Sequence, residues 1–442
     1  MQELTTWLNI LGGWVWGPVL LVLLVGTGIF YTVRLKGLQF RALPRALRLA
    51  FSKQPQSDAP GDISQFQALM TALAATIGTG NIAGVATAVV LGGPGAIFWM
   101  WLSALFGMST KYAEAYLAVY FRVRDRNGQM AGGPMYYLEK GLGCKSLAVM
   151  FAACGMIAAL GTGCSVQSNS VAQAVQNTFG IAGWQTGLVL TAVTGLVLLG
   201  GIRAIARAAS LIVPAMALLY LTGGLMIIVI NHELVLPAIA MILRDAWAAD
   251  AVAGGAIGAV IRYGVARGVF SNEAGIGTAP IAAAAARTNQ PEDQALVSMT
   301  GTFLDTIVVC TITGIVLVMA GQYQEGITGA ALTSNSFERL LPGVGGWVVT
   351  IGLIFFAYST ILGWSYYGEK CAAYLFRETA VIPYRVIYTG FVMLGTTISL
   401  DLVWAVADVF NGLMAFPNLI GLLLLSSIVV HKKLPKPINV RE

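Results

Sequence analysis

Between Phe66 and Leu91 the chain is apolar for long enough to cross a bilayer as a helix, yet the middle of that run reads Thr76-Ile77-Gly78-Thr79-Gly80-Asn81. Glycine costs about 1 kcal/mol against alanine inside a helix, and an asparagine amide at membrane depth needs partners. A continuous helix gains nothing from this cluster. A helix broken there gains a polar cavity made of freed carbonyls, hydroxyls and the amides that open the second half-helix. A second cluster, Ser271-Asn272-Glu273-Ala274-Gly275-Ile276-Gly277-Thr278-Ala279-Pro280, interrupts the run from Ala256 to Ala286. Two interrupted spans in corresponding halves of a chain mark a secondary transporter with its site near the bilayer midplane.

Composition narrows the class. Only 10% of the 442 residues are charged, against about 25% in soluble domains, and the mean hydropathy is +0.75. The chain is therefore an all-α polytopic membrane protein. The apolar runs are long and continuous, not short and alternating, which disfavours a β-barrel. The net charge of +6 would suggest a nucleic-acid partner in a soluble protein; here the positive residues sit in alternate loops and report topology instead, so no nucleic acid is expected. The five cysteines lie in or beside apolar spans and read as free packing thiols. His232 and His431 lie at span edges, which leaves no histidine metal site. The acidic start at Glu3 and the lack of a small-residue cleavage site make the first apolar run a retained span, not a signal peptide.

The runs predict about eleven spans: 7–33, 66–91 (broken), 96–121, 148–179, 184–199, 208–230, 256–286 (broken), 295–320, 347–374, 381–398 and 404–430. Gln39 to Ser52 alternates arginine with leucine and alanine and predicts an amphipathic helix on the membrane surface. Residues 231–254 read as a loop, and Glu114, Glu369 and Lys370 as interfacial groups at span ends. With the N-terminus outside and the C-terminus cytoplasmic, Arg34–Lys53, Arg122–Lys145, Arg203–Arg207, Arg287, Lys370–Arg385 and Lys432–Arg441 all become cytoplasmic. The outer loops keep only Arg244 and Arg339, as the positive-inside bias requires. Residues 1–64 then form an extra span and basic segment. Residues 65–254 and 255–442 form two sets of five spans, each opened by a broken helix and running in opposite senses, an inverted repeat.

The first break offers carbonyls near Ala74, Thr76 and Ile77, the Asn81 amide and the hydroxyls of Thr76 and Thr79, all hard oxygen donors suited to an alkali cation. The amides of Gly78, Thr79 and Gly80 open the following half-helix, where a carboxylate binds. Glycines also serve tight helix seams; the clustering with Asn81 and the matching second break favour the pocket. The second break adds Ser271, Asn272 and Gly275, with Phe270 and Ile276 as apolar walls. Its Glu273 needs a cavity or a partner: it pairs with Arg267 or helps fix the unwound backbone. Asp305 is the one carboxylate read as deep in its span. Gln167 lies on a polar mid-span face. Ser359 and Thr360 supply hydroxyls, and Trp364 a pocket wall. No phosphate loop, filter-like loop or pore-lining charge ring appears, so a pump or channel is the weaker reading and no enzyme is expected. A sensing receptor is weakened by the lack of a signalling domain. Proton coupling through Asp305 or Glu273 remains the alternative within transport.

The stretch Gly92-Gly93-Pro94-Gly95-Ala96-Ile97-Phe98-Trp99-Met100-Trp101-Leu102-Ser103-Ala104-Leu105-Phe106-Gly107 resembles the signature of the alanine or glycine:cation symporter family. Thr76–Asn81, Gly132–Tyr137 and Phe270–Pro280 resemble the same family. The resemblance implies membership of the amino acid–polyamine–organocation superfamily and a LeuT-type five-plus-five inverted repeat with one additional N-terminal helix. It implies sodium-coupled uptake of alanine or glycine across the cytoplasmic membrane, with Na+ as coupling ion, no cofactor, and lipid around the protein. By that likeness Gly78-Thr79-Gly80-Asn81 matches the unwound first helix, whose backbone holds the substrate carboxylate and whose asparagine ligates sodium. Ser359 and Thr360, with the Ala74 and Ile77 carbonyls, correspond to a second sodium site. The expected substrate contacts are Thr76, Gly78, Thr79, Gly80, Gln167, Phe270, Asn272, Gly275, Ile276 and Trp364; the expected cation ligands are Ala74, Ile77, Asn81, Ser271, Asp305, Ser359 and Thr360.

Overall fold

A computed structural model describes residues 2–52, 59–247, 256–397 and 400–433. Helices α1 (Gln2–Val15) and α2 (Pro18–Arg34) make the first span, with Pro18 opening α2 after Gly17. The amphipathic stretch after it forms two short helices, α3 (Leu38–Arg41) and α4 (Leu43–Phe51), because Pro44 cannot continue a preceding helix and instead sits in the first turn of the next. α4 buries Ala46 and Ala50, and its Arg45 reaches Asp293 at 3.4 Å.

The first broken span is α5 (Gln65–Thr76), a wide π-helical turn at Gly80–Gly84 and α6 (Val85–Gly92), with a bend of 52° between its halves. A capping box fixes its start: Ser64 Oγ accepts from the Gln67 amide, and the Gln67 side chain accepts from the Ser64 amide. Then come α7 (Ala96–Tyr120), α8 (Pro134–Leu142), α9 (Lys145–Leu160), which runs through a π-turn at Gly161–Ser165 into α10 (Val166–Phe179), α11 (Gly183–Leu199), α12 (Gly201–Ile230) and α13 (His232–Asp245). The second broken span is α14 (Ala256–Asn272) and α15 (Ala279–Ala284). It is followed by α16 (Pro291–Thr302), a π-helical stretch Phe303–Cys310, α17 (Thr311–Ala320), α18 (Gly329–Leu340), α19 (Gly345–Phe376), α20 (Val381–Gly395), α21 (Leu400–Leu424) and α22 (Ser426–Val430).

Among the described residues six helical runs are long and apolar enough to cross a membrane, and a seventh if the bent pair α5–α6 counts as one span. The remaining expected spans, at α7, α11, α14–α15 and α20, are helical but shorter, broken or more polar. α7 lies at the centre of the packing, against α2, α14 and α16.

Four expectations change. The stretch 231–254 is not all loop: α13 occupies most of its described part and packs against α17. Glu114, Glu369 and Lys370 are at most 3% exposed and not interfacial; Glu369 takes Arg385 at 2.7 Å, and Lys370 takes Asp125 at 3.1 Å. Asp305 is not the only deeply buried carboxylate, because Glu114 and Glu273 are buried as well. Arg267 does not pair with Glu273; it lies over the Phe270 ring, 5.8 Å from its centroid, while the Thr278 hydroxyl donates to Glu273.

Candidate functional site

Each break has a local cause. α5 stops because Ile77 turns to extended backbone (ψ 92°) and the Gly78 amide donates to Asn81 Oδ1 at 2.9 Å, not back along the helix. The carbonyls of the last α5 turn, Ala74 among them, are thereby left past the end of the ladder. α14 stops at Asn272, whose side chain takes the Ala274 amide at 2.9 Å. Glu273 (φ 56°), Gly275 (φ 88°) and Gly277 (φ 96°) then turn through the left-handed region before Pro280 restarts the chain in α15. A non-glycine residue held there carries a conformational cost of order 1–3 kcal/mol, which such sites commonly concentrate.

The two breaks meet. The Gly80 position faces Ser271 and Phe270, with an ideal Cβ 3.3 Å from Ser271 Cα. Asp305 stands between them, fully buried. Its carboxylate accepts from Asn81 Nδ2 at 2.8 Å, Ser271 Oγ at 2.9 Å and Thr306 Oγ1 at 2.7 Å. Asn272 donates to Thr306 Oγ1 at 3.0 Å. One carboxylate and the hydroxyls of Ser271 and Thr306, beside the Asn81 side-chain amide, bring oxygen groups of the kind that suits a hard cation of low charge to one point. Gln167 clamps the next turn: its Oε1 faces the Thr79 amide at 3.4 Å, and its Nε2 donates to Thr79 Oγ1 and to the Thr162 carbonyl, both at 3.1 Å. Thr360 Oγ1 approaches the Ile77 carbonyl at 3.5 Å and donates to the Phe356 carbonyl at 2.9 Å.

Above the breaks lies a cavity of about 920 Å³. Thr79, Gly80 and Phe270 line it, with α10, α18 and the first turns of α19 as walls. Arg267 and Asp408 bring charge to its sides.

The opposite face is closed. Connector residues before α5 pair with the chain leaving α15: the Asp62 amide donates to the Ala285 carbonyl at 2.8 Å and the Arg287 amide to the Ile63 carbonyl at 2.8 Å. Arg122, just beyond α7, reaches into the same place. Burial pushes its guanidinium down to about 10, and Asp62 opposes that shift.

The expected residues therefore divide. Thr79, Gly80 and Phe270 line the cavity, while Gly78, Asn81, Gln167, Ser271, Asn272, Asp305 and Thr360 form the layer beneath it. Thr76 bonds back to Leu73, and Ser359 bonds Phe356 and faces Met216. Ala74 is fully buried. Trp364 is buried against Gly163 and Tyr367, behind the clamp and off the cavity wall. Gly275 faces Leu24 and Leu419, and Ile276 lies in the core, so neither reaches the cavity.

Sequence reasoning passed over Thr306 and Cys310, which touch Asp305 and Asn81. It also passed over Ser170, Gln173 and Asn177, whose 3.6-residue spacing on α10 carried the signal.

Comparisons follow this geometry. The sequence profile described as the sodium:alanine symporter family matches residues 1–434. A sodium/alanine symporter, AgcS, of Methanococcus maripaludis is 58% identical over 98% of this chain and 97% of its own. A putative sodium/proton-dependent alanine carrier protein, YrbD, of Bacillus subtilis is 39% identical over 93% of this chain and 88% of its own. Among solved structures, MhsT in complex with L-phenylalanine superposes with a TM-score of 0.58, covering 84% of this chain and 98% of its own at 13% identity. The fold is that of LeuT-type transporters.

Proposed function

Because the chain belongs to the sodium:alanine symporter family over nearly its whole length, we propose that it carries alanine, and the smaller glycine, with sodium by alternating access. The observation that supports this reading above others is Asp305, bonded to Asn81 of one break and Ser271 of the other beneath a cavity open to one face. A cation at Asp305 replaces the hydrogen bonds these groups now make to one another and ties the two broken helices together. The cation thereby shapes the amides of Gly78, Thr79 and Gly80 for the substrate carboxylate. Binding energy shared between ion and substrate gives a coupling free energy that is reciprocal, so alanine raises sodium affinity as sodium raises alanine affinity. In this reading residues 65–254 and 255–442 are the two inverted halves. The protein lies in the cytoplasmic membrane with its N-terminus outside, and the cavity faces outward.

Sodium-dependent alanine counterflow in proteoliposomes tests it. Exchange should require sodium and saturate. The name of the Bacillus relative, together with a carboxylate at the junction, supports one second reading, proton coupling. Counterflow that persists without sodium and follows an imposed pH gradient would establish that reading and defeat the first.

A further inference from the structure

Arg122 is an arginine with no carboxylate within ion-pairing distance among the described residues, yet it is only 6% exposed. Among the described residues its hydrogen bonds go to main chain. Nη1 donates to the carbonyls of Ala284 at 3.1 Å and Ala286 at 2.7 Å; Nη2 donates to those of Pro60 at 3.1 Å and Thr288 at 2.5 Å. Those four acceptors belong to the chain entering α5 and the chain leaving α15, the closed-side ends of both broken spans. A planar guanidinium with five fixed donors can hold two segments in register at once; an ammonium, with three rotatable donors, fixes fewer acceptors and less geometry. The two segments also pair directly through Asp62, Ile63 and Arg287. Arg122 sits on neither segment, because it extends from the end of α7, the helix packed centrally against α14 and α16.

We infer that Arg122 is a positioning residue of transport: it latches the closed-side ends of the two broken helices to α7, and its release is the step that opens that face. This rests on the alternating-access reading above. The supporting geometry is a charged donor buried where its hydrogen-bond partners among the described residues lie on the parts that must separate. Charge-assisted hydrogen bonds are the strong ones, and a buried guanidinium left without acceptors is costly. The acceptors must therefore part from it together.

The test uses the full chain with Cys144→Ser, to remove the partly exposed native thiol, and Ala283→Cys as reporter in α15. Ala283 is buried between the latch and the break. A membrane-impermeant charged maleimide is applied to the side that carries Arg122, in sodium-free buffer and then in sodium. Arg122→Ala should raise the sodium-free labelling rate by about tenfold or more, the size of one lost charge-assisted bond. Arg122→Lys should fall between, because it restores charge but not the four-way fork. In transport, Arg122→Ala should weaken apparent sodium and alanine affinity from the cavity side, since the cavity-open state is less populated. Purified Arg122→Gln serves if the alanine variant does not yield folded protein. Labelling within twofold of the parent, in a variant that still shows sodium-dependent counterflow, overturns the latch alone. Absence of that counterflow in the Arg122 parent overturns the transport reading instead.

Discussion

A single methyl group at Gly78 tests whether the first break is the binding apparatus. An ideal Cβ there lies 2.4 Å from Thr360 Oγ1 and 3.4 Å from Gln167 Oε1. Ordinary contact begins near 3.4 Å, so the overlap with Thr360 is about 1.0 Å (3.4 − 2.4). Thr360 cannot yield freely. It is β-branched, stiff at its first torsion, and anchored to the Phe356 carbonyl at 2.9 Å. Either Thr360 rotates out or the Ile77–Gly78 peptide moves away from α19. Both displace groups we assign to a cation, at the usual overpacking cost of about 1–3 kcal/mol. Gly78→Ala should therefore weaken apparent sodium affinity by roughly 5- to 140-fold, at about 1.4 kcal/mol per decade. Two neighbours calibrate it. A Cβ at Gly80 meets Ser271 Cα at 3.3 Å, which predicts a smaller loss, and one at Gly84 meets nothing within 4 Å. Gly84→Ala, in the same span, should bind sodium normally and gain up to about 1 kcal/mol of helix propensity. The assay is sodium-titrated binding of labelled alanine to purified protein, with thermal melting to separate binding from folding. Normal sodium affinity in folded Gly78→Ala, or equal losses in all three variants, would refute the assignment.

Two further predictions rest on single groups. Asn81→Leu should abolish sodium-dependent alanine binding, because it strips a donor from Asp305 and an acceptor from the Gly78 amide while placing an alkyl group among polar ones; normal binding in that variant would remove Asn81 from the site. At the α18–α19 junction, Glu338 accepts the amides of Gly346 at 2.9 Å and Gly343 at 2.6 Å, which hold its carboxyl below the usual carboxylate range. A folded-state pKa lowered in this way contributes stability above the unfolded value, about 4.3, and loses it as pH falls through the folded value. The α18–α19 junction should therefore loosen in acid only, with faster hydrogen exchange at those two amides. Glu338→Gln should exchange as fast at neutral pH, and unchanged exchange in that variant would show the cap to be inert.

Much of this architecture was legible from residue order because a broken span needs a chemical interruption that nothing else in an apolar run explains. Thr76–Asn81 and Ser271–Pro280 carry that mark, and the chain breaks at both. Asp305 was legible for the same reason, as a carboxylate with no business in lipid. Depth was not legible where it depends on what covers a helix end. Glu114 and Lys370 lie near span termini in sequence, but the turns beyond them fold back. Asn418 of α21 bonds Glu114, and Asp125 of the α7–α8 connection bonds Lys370. α13 and α18 escaped notice because both are short: the apolar run Leu234–Leu243 of α13 is too brief to cross a bilayer, and α18 is of mixed polarity. Trp364 illustrates a different limit. Aromatic character marks burial, but only the packing shows that its ring lies against Gly163 and not on the cavity wall.

The cavity above the breaks has a consequence for the energetics of the whole cycle. Water occupies about 30 Å³ per molecule in the liquid, so 920 Å³ corresponds to on the order of thirty solvent molecules. Alanine displaces only a few of them. If turning the carrier to its other face collapses the rest of that volume, the solvent is released with the help of the osmotic pressure on that side, not against it. Solutes too large to enter the cavity draw its water out and favour the collapsed form; solutes small enough to enter exert no such pull. Under the alternating-access reading, the turnover of this protein is therefore expected to respond to the osmolarity of the compartment its cavity faces, through volume.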